Sequence, residues 1–229
     1  MARLAPALVA ALLLAPLSGC VEITPARVPD RYLEGRGGNG WEKNLTASQS
    51  EPSSAGLGFT KTQALAYEDK VAEPGYPGFL VVTTLRAVPA PSAERIREHV
   101  DQSVRDAAAA KGIALKGEPA AGSRTLASGV GTTFLVYQGN VSTSGFFSRN
   151  ADVKILGEVF ECEDAKTVVA VVGLAQVSDV RIVRPNPLLP PTEVPSDRDE
   201  TTWREIAGDP SGTVDGQRGS EALAWRVEC

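Results

Sequence analysis

The chain has 229 residues, a formal charge of −5, 42% hydrophobic and 22% charged residues. Those proportions are ordinary for globular proteins and exclude wholesale disorder. The acidic balance provides no electrostatic case for nucleic acid, which needs clustered Lys and Arg.

The N-terminus has three parts in order: Arg3 in a short charged start, an apolar stretch over residues 4–17, then the small residues Ser18 and Gly19 before Cys20. That is the layout of a secretory signal. The apolar stretch is about 14 residues, below the roughly 20 that a membrane-crossing helix needs, so residues 1–19 read as a transient export element. The tetrapeptide Leu17-Ser18-Gly19-Cys20 resembles the lipobox of bacterial lipoproteins. The resemblance implies cleavage before Cys20, diacylglycerol on its sulfur and an acyl chain on the new amino terminus. Several chains, at about 0.8 kcal/mol per buried CH₂, make such an anchor stable. The expected partner is therefore a membrane, held through the lipid on Cys20. Val21, and not Asp, follows the cysteine, which in a Gram-negative envelope favours the outer membrane.

Residues 20–58 then read as the lipidated cysteine and a flexible tether. Pro25, Pro29 and the run Gly35-Arg36-Gly37-Gly38-Asn39-Gly40 bury little apolar surface. Trp41 is the residue there expected to dock on the body. Gly35-x-Gly37-x-x-Gly40 spells a dinucleotide fingerprint, but that mechanism requires a strand before it and a helix after it, and neither is predicted.

The remainder, 59–229, reads as a single α+β domain: an antiparallel sheet with a long helix packed on it. Residues 79–88 are rich in β-branched side chains and stop at Pro89, as a strand should. A helix follows, with Ser92 as N-cap, Glu94 in the first turn, Ile96, Val100, Val104 and Ala107 on one face, and Gly112 as the left-handed stop. Segments 132–141 and 153–162 read as strands joined by a polar loop carrying Phe146 and Phe147. After a tight turn at 163–166, the run 167–175 barely alternates, which marks a central strand covered on both faces. A proline-rich loop at 185–195, a short helix around Trp203 to Ile206 capped by Asp197 or Asp199, and a closing strand at 225–229 complete the chain.

The order of strand, long helix, antiparallel strands and closing helix over roughly 79–207 resembles the α/β/α sandwich of PsbP and Mog1-like domains. That resemblance rests on element order and implies a binding or assembly accessory, with no catalytic residues carried over.

Cys162 and Cys229 remain once Cys20 is assigned to lipid. An even pair in an oxidising export route reads as a disulfide. The bridge closes roughly 68 residues, for which chain entropy allows on the order of 4 kcal/mol. Two distant cysteines form neither a C-x-x-C redox motif nor a four-ligand metal set.

His99 is the single histidine, so every Ser-His-Asp or Cys-His scheme must use it, and no G-x-S-x-G elbow accompanies it. It reads as a helix face-edge residue. Asp209, Ser211, Thr213 and Asp215 alternate like calcium ligands, but Val214 occupies the position where the sharp turn needs Gly. Asn44 and Asn140 are formal glycosylation acceptors that bacterial export usually leaves bare. Phe146 and Phe147 read as rings folded onto the core, with an exposed apolar tip as the alternative. No catalytic residue, metal ligand or cofactor is assigned. The function implied is a lipid-anchored cell-envelope protein with a non-catalytic binding or assembly-accessory domain, for which an envelope protein is a candidate partner. The alternatives are an envelope hydrolase with paired carboxylates and a structural spacer lipoprotein.

Overall fold

A computed structural model describes residues 24–33, 40–51, 59–69, 78–87, 92–143, 148–162, 167–183, 192–194, 201–208 and 222–229. Among these residues nine strands form one antiparallel sheet: β1 (Trp41–Glu51), β2 (Phe59–Asp69), β3 (Phe79–Ala87), β4 (Ile113–Thr125), β5 (Gly131–Thr143), β6 (Ser148–Glu161), β7 (Thr167–Gln176), β8 (Val180–Val183) and β9 (Thr192–Val194). Their order across the sheet is β1-β2-β3-β7-β6-β5-β4, with β8 pairing to β6 and carrying β9. The class is α+β. β7, whose apolar residues barely alternate, is the middle strand of the seven and is buried along nearly its whole length. A strand covered on both faces has no solvent side to which polar residues could alternate.

One face of the sheet carries helix α1 (Ala93–Ala110). The Ser92 side chain accepts a hydrogen bond from Arg95 N, closing one of the helix's open donors. Gly112, at φ +69°, takes the left-handed turn that ends it. Ile96, Val100 and Val104 lie one helical turn apart and pack onto Leu85, Leu135, Ile155 and Val159. The other face is covered by helix α2 (Thr201–Ala207), a 3₁₀ turn at Ala224–Arg226 and the strap 24–33. There Trp203, Ile206, Val28 and Val227 join Leu80, Val82, Leu156 and Phe160.

Each helix rests on a glycine. A Cβ built on Gly157 of β6 would lie 3.0 Å from Val100, and one on Gly173 of β7 only 2.4 Å from the Ile206 side chain. The missing side chains let both helices approach the sheet closely.

The assignment of 20–58 to a flexible tether is corrected for its described residues. Ala26 and Val28 are fully buried, and Trp41 begins a sheet strand. The strap is fixed by Ala26 N donating to Thr84 Oγ1 at 2.8 Å and Val28 N donating to the Tyr67 hydroxyl at 3.2 Å. Trp41 Nε1 donates to Glu205 Oε2 at 3.2 Å, tying β1 to α2. Few apolar residues are needed when each one fills a prepared place in an existing core, and composition averages conceal that.

The expected closing strand is corrected as well. The segment forms a 3₁₀ turn and one antiparallel bridge, Arg27 to Glu228. β4, which sequence patterning did not mark, is an edge strand with many exposed positions and a register shift between Lys116 and Ala120. Edge exposure and the bulge remove the alternation on which strand recognition depends.

Candidate functional site

The predicted site residues fall into two groups. Cys162 and Cys229 form a disulfide, with S–S 1.97 Å and Cα–Cα 6.0 Å. Cys20 lies outside the described residues, as do Gly35, Gly37, Phe146, Phe147, Asp209, Ser211, Thr213, Asp215, Asp197, Asp199, the turn 163–166 and residues 185–191 of the proline-rich segment. Gly40 is described, and a strand follows it where the dinucleotide fingerprint needs a helix.

The disulfide secures a segment that does further mechanical work. Arg27 N donates to Glu228 O at 2.9 Å and Glu228 N donates to Arg27 O at 3.0 Å. Arg226 Nη1 donates to the Tyr32 hydroxyl at 2.9 Å, and its guanidinium lies over the Tyr32 ring at 4.4 Å and the Trp225 ring at 5.0 Å. Ala127 N donates to Trp225 O, so the same segment reaches the β4–β5 turn. Closing segment, turn and the start of the strap are bonded together at one end of the sheet, and the strap runs on to Leu33, whose carbonyl accepts from Trp41 N at the start of β1.

Sequence reasoning missed the most buried charge. Glu158 of β6 has no solvent exposure. Arg124 Nε and Nη2 donate to its two carboxylate oxygens at 2.8 and 2.5 Å, and Thr132 Oγ1 donates to Oε1 at 2.6 Å. Arg124 Nη1 donates to the Ala207 carbonyl at the end of α2, at 2.6 Å. The cluster borders a cleft of about 500 Å³ lined by Ser123, Thr125, Thr133 and Glu161. A bidentate guanidinium and a hydroxyl therefore occupy both carboxylate oxygens. The alternation Leu156, Glu158, Phe160 on one face was the hint: a carboxylate at a core position needs a cation, here Arg124 reaching from β4, two strands away.

Two further acids among the described residues, Asp101 and Asp152, are also engaged. Asp101 accepts from Arg105 Nε at 3.1 Å and from the Tyr137 hydroxyl at 2.6 Å. Burial, and then the Asp101 carboxylate, raise the Tyr137 pKa far above the ordinary tyrosine value. Asp152 accepts from Lys116 Nζ at 2.7 Å and from Asn140 Nδ2 at 3.3 Å. The Lys116 hydrogen bond holds its pKa below the usual carboxylate value, against a smaller opposing effect of burial. His99 is half-buried at the edge of α1, with its Nε2 buried and lacking a hydrogen-bond partner among the described residues. Burial lowers its pKa.

No protein-family model matches the chain, and neither a characterised protein nor a solved structure is significantly similar to it.

Among the described residues no helix is long and apolar enough to cross a membrane, and no group of three His, Cys, Asp or Glu side chains converges as metal ligands would. Asn44 Nδ2 donates to Glu68 and Asn140 Nδ2 to the Ala151 carbonyl, so both formal acceptor amides are engaged in the sheet. Polar side chains of the described residues thus join neighbouring elements.

Proposed function

We propose that the chain is a lipid-anchored cell-envelope protein whose α+β body acts by binding a partner, as an accessory or assembly factor. The observation that carries the proposal is Leu17-Ser18-Gly19-Cys20 closing a short apolar run. The Cys162–Cys229 disulfide supports it, because such bonds persist in oxidising exported compartments.

Among the described residues, binding is favoured over hydrolysis by where three carboxylates are spent. Glycosidase-type chemistry needs two acids facing one substrate, one of them available to give a proton. Glu158, Asp101 and Asp152 instead each accept from cationic and neutral donors of the body. For the fold, the long helix on one face and the short helical pieces on the other support a sandwich of the PsbP and Mog1-like kind. That likeness is again a proposal and brings no site residues with it.

Labelled palmitate tests the anchor. It enters the wild-type protein and not Cys20→Ala; equal incorporation into both would reject lipidation at Cys20.

A further inference from the structure

The docked strap makes the distance from anchor to body short. Ala26, which is fully buried, lies six positions after Cys20, with five residues between them. No chain conformation extends six residues beyond about 22 Å. If Cys20 carries the lipid, as proposed above, Ala26 stays within about 22 Å of the lipidated residue.

The register shows which end of the body is tied down. Ala26 N donates to Thr84, and Thr84 faces Val169, which faces Phe160. On the neighbouring strand, Thr133 faces Val159, and Thr125 faces Gly131 across the β4–β5 turn. The strap therefore enters at the end of the sheet that holds that turn, and Cys162 follows β6 at the same end. The closing segment joins these features through the Ala127–Trp225 and Arg27–Glu228 bonds. At the opposite end α1 finishes at Ala110, Ile113 faces Val141, and β8 and β9 extend the sheet. From Thr132 to Val141 along β5 is about 30 Å, more than the leash can cover.

We infer that the body stands on the lipid surface with the strap end down. Arg27, Glu228 and the turn at 126–129 face the headgroups, and the end of α1 with the β8–β9 extension faces away. Among the described residues, those exposed at the lower end include Thr24, Arg27, Ala127, Ser128, Glu161 and Glu228, all small or polar. They suit contact with headgroups and not insertion, so the leash sets the orientation. Partners approaching from outside the membrane meet the far end first.

The test places a single fluorophore at Ser128→Cys or at Ala110→Cys, both exposed positions at opposite ends. The lipidated protein, taken from envelope membranes, is reconstituted into vesicles of phosphatidylethanolamine and phosphatidylglycerol containing an acceptor lipid. Energy transfer should be severalfold stronger from position 128 than from position 110. Equal or reversed transfer overturns the orientation while leaving the anchor intact. A Gly-Ser insertion of about 20 residues between Cys20 and Thr24, with a root-mean-square span of about 25 Å, should abolish the difference. A difference that survives it overturns the role of the leash. Protein that stays in the supernatant without vesicles rejects the anchor itself.

Discussion

Arg27 and Glu228, about two hundred residues apart in the chain, exchange both of their backbone hydrogen bonds at 2.9 and 3.0 Å. Glu228 is followed by Cys229, which is bonded to Cys162 at the end of β6. The first packed segment after the proposed anchor is thus fastened to the sheet through the closing segment. The Arg31–Glu228 side-chain pair beside them, with side chains 65% and 54% exposed, adds little, since solvent screens it. The paired backbone and the covalent bond hold the junction.

Replacing both cysteines, Cys162→Ala with Cys229→Ser, should lower unfolding stability by about 4 kcal/mol, the entropy returned to an uncrosslinked chain. Chemical denaturation measures it. Limited proteolysis should then cut near residue 27 sooner than in wild type, because the segment that pairs with the strap is released. In the wild type, no thiol should react with a maleimide before reduction.

Arg124→Met leaves the Glu158 carboxylate buried with one hydroxyl partner, and should cost about 3–5 kcal/mol. The double variant Arg124→Met with Glu158→Leu should recover much of that loss, because no uncompensated charge remains. Urea melts of wild type, single and double variants check both statements. Equal losses in single and double variants would show that the pair matters through packing and not through charge.

Gly173→Val should destabilise by about 1–3 kcal/mol, as overpacking does. Its Cβ would lie 2.4 Å from the Ile206 side chain, forcing α2 off the sheet. Gly131→Ala is the matched control, since nothing lies within 4 Å of a Cβ placed there. The two melting temperatures, taken together, separate packing from glycine's backbone freedom.

Burial of His99 sets a pH dependence. Its folded-state pKa lies below the ordinary 6.5, so the unfolded chain binds the proton more readily. Its contribution is complete above about pH 6.5 and is lost as the pH falls from there towards the folded-state value. Thermal melts between pH 8 and 5 should show a decline that is smaller in His99→Gln. Asp152, whose pKa is lowered by Lys116, adds a loss that begins only below its ordinary value of 3.8, outside that window.

What the sequence made legible was local chemistry. The α+β class with an antiparallel sheet follows from alternating segments such as those around Phe134 and Ile155, and the central place of β7 from its unbroken apolar run. The cysteine pairing followed from compartment and count, and the bond is present. The illegible parts depend on distant partners. Ala26 and Val28 belong to the core because Thr84 and Tyr67 await their amides, and nothing near residue 26 encodes that. Glu158 looked like one of 28 acids until Thr132 came beside it from β5 and Arg124 from β4, two strands away. β4 lost its alternation to solvent and to the bulge after Lys116.

Mass spectrometry of the mature amino terminus, on protein recovered from envelope membranes, tests the central claim most directly. The account predicts a first residue at Cys20 carrying diacylglycerol on sulfur and an acyl chain on nitrogen, in the detergent fraction. An unmodified amino terminus, on protein found in the aqueous fraction, would contradict it.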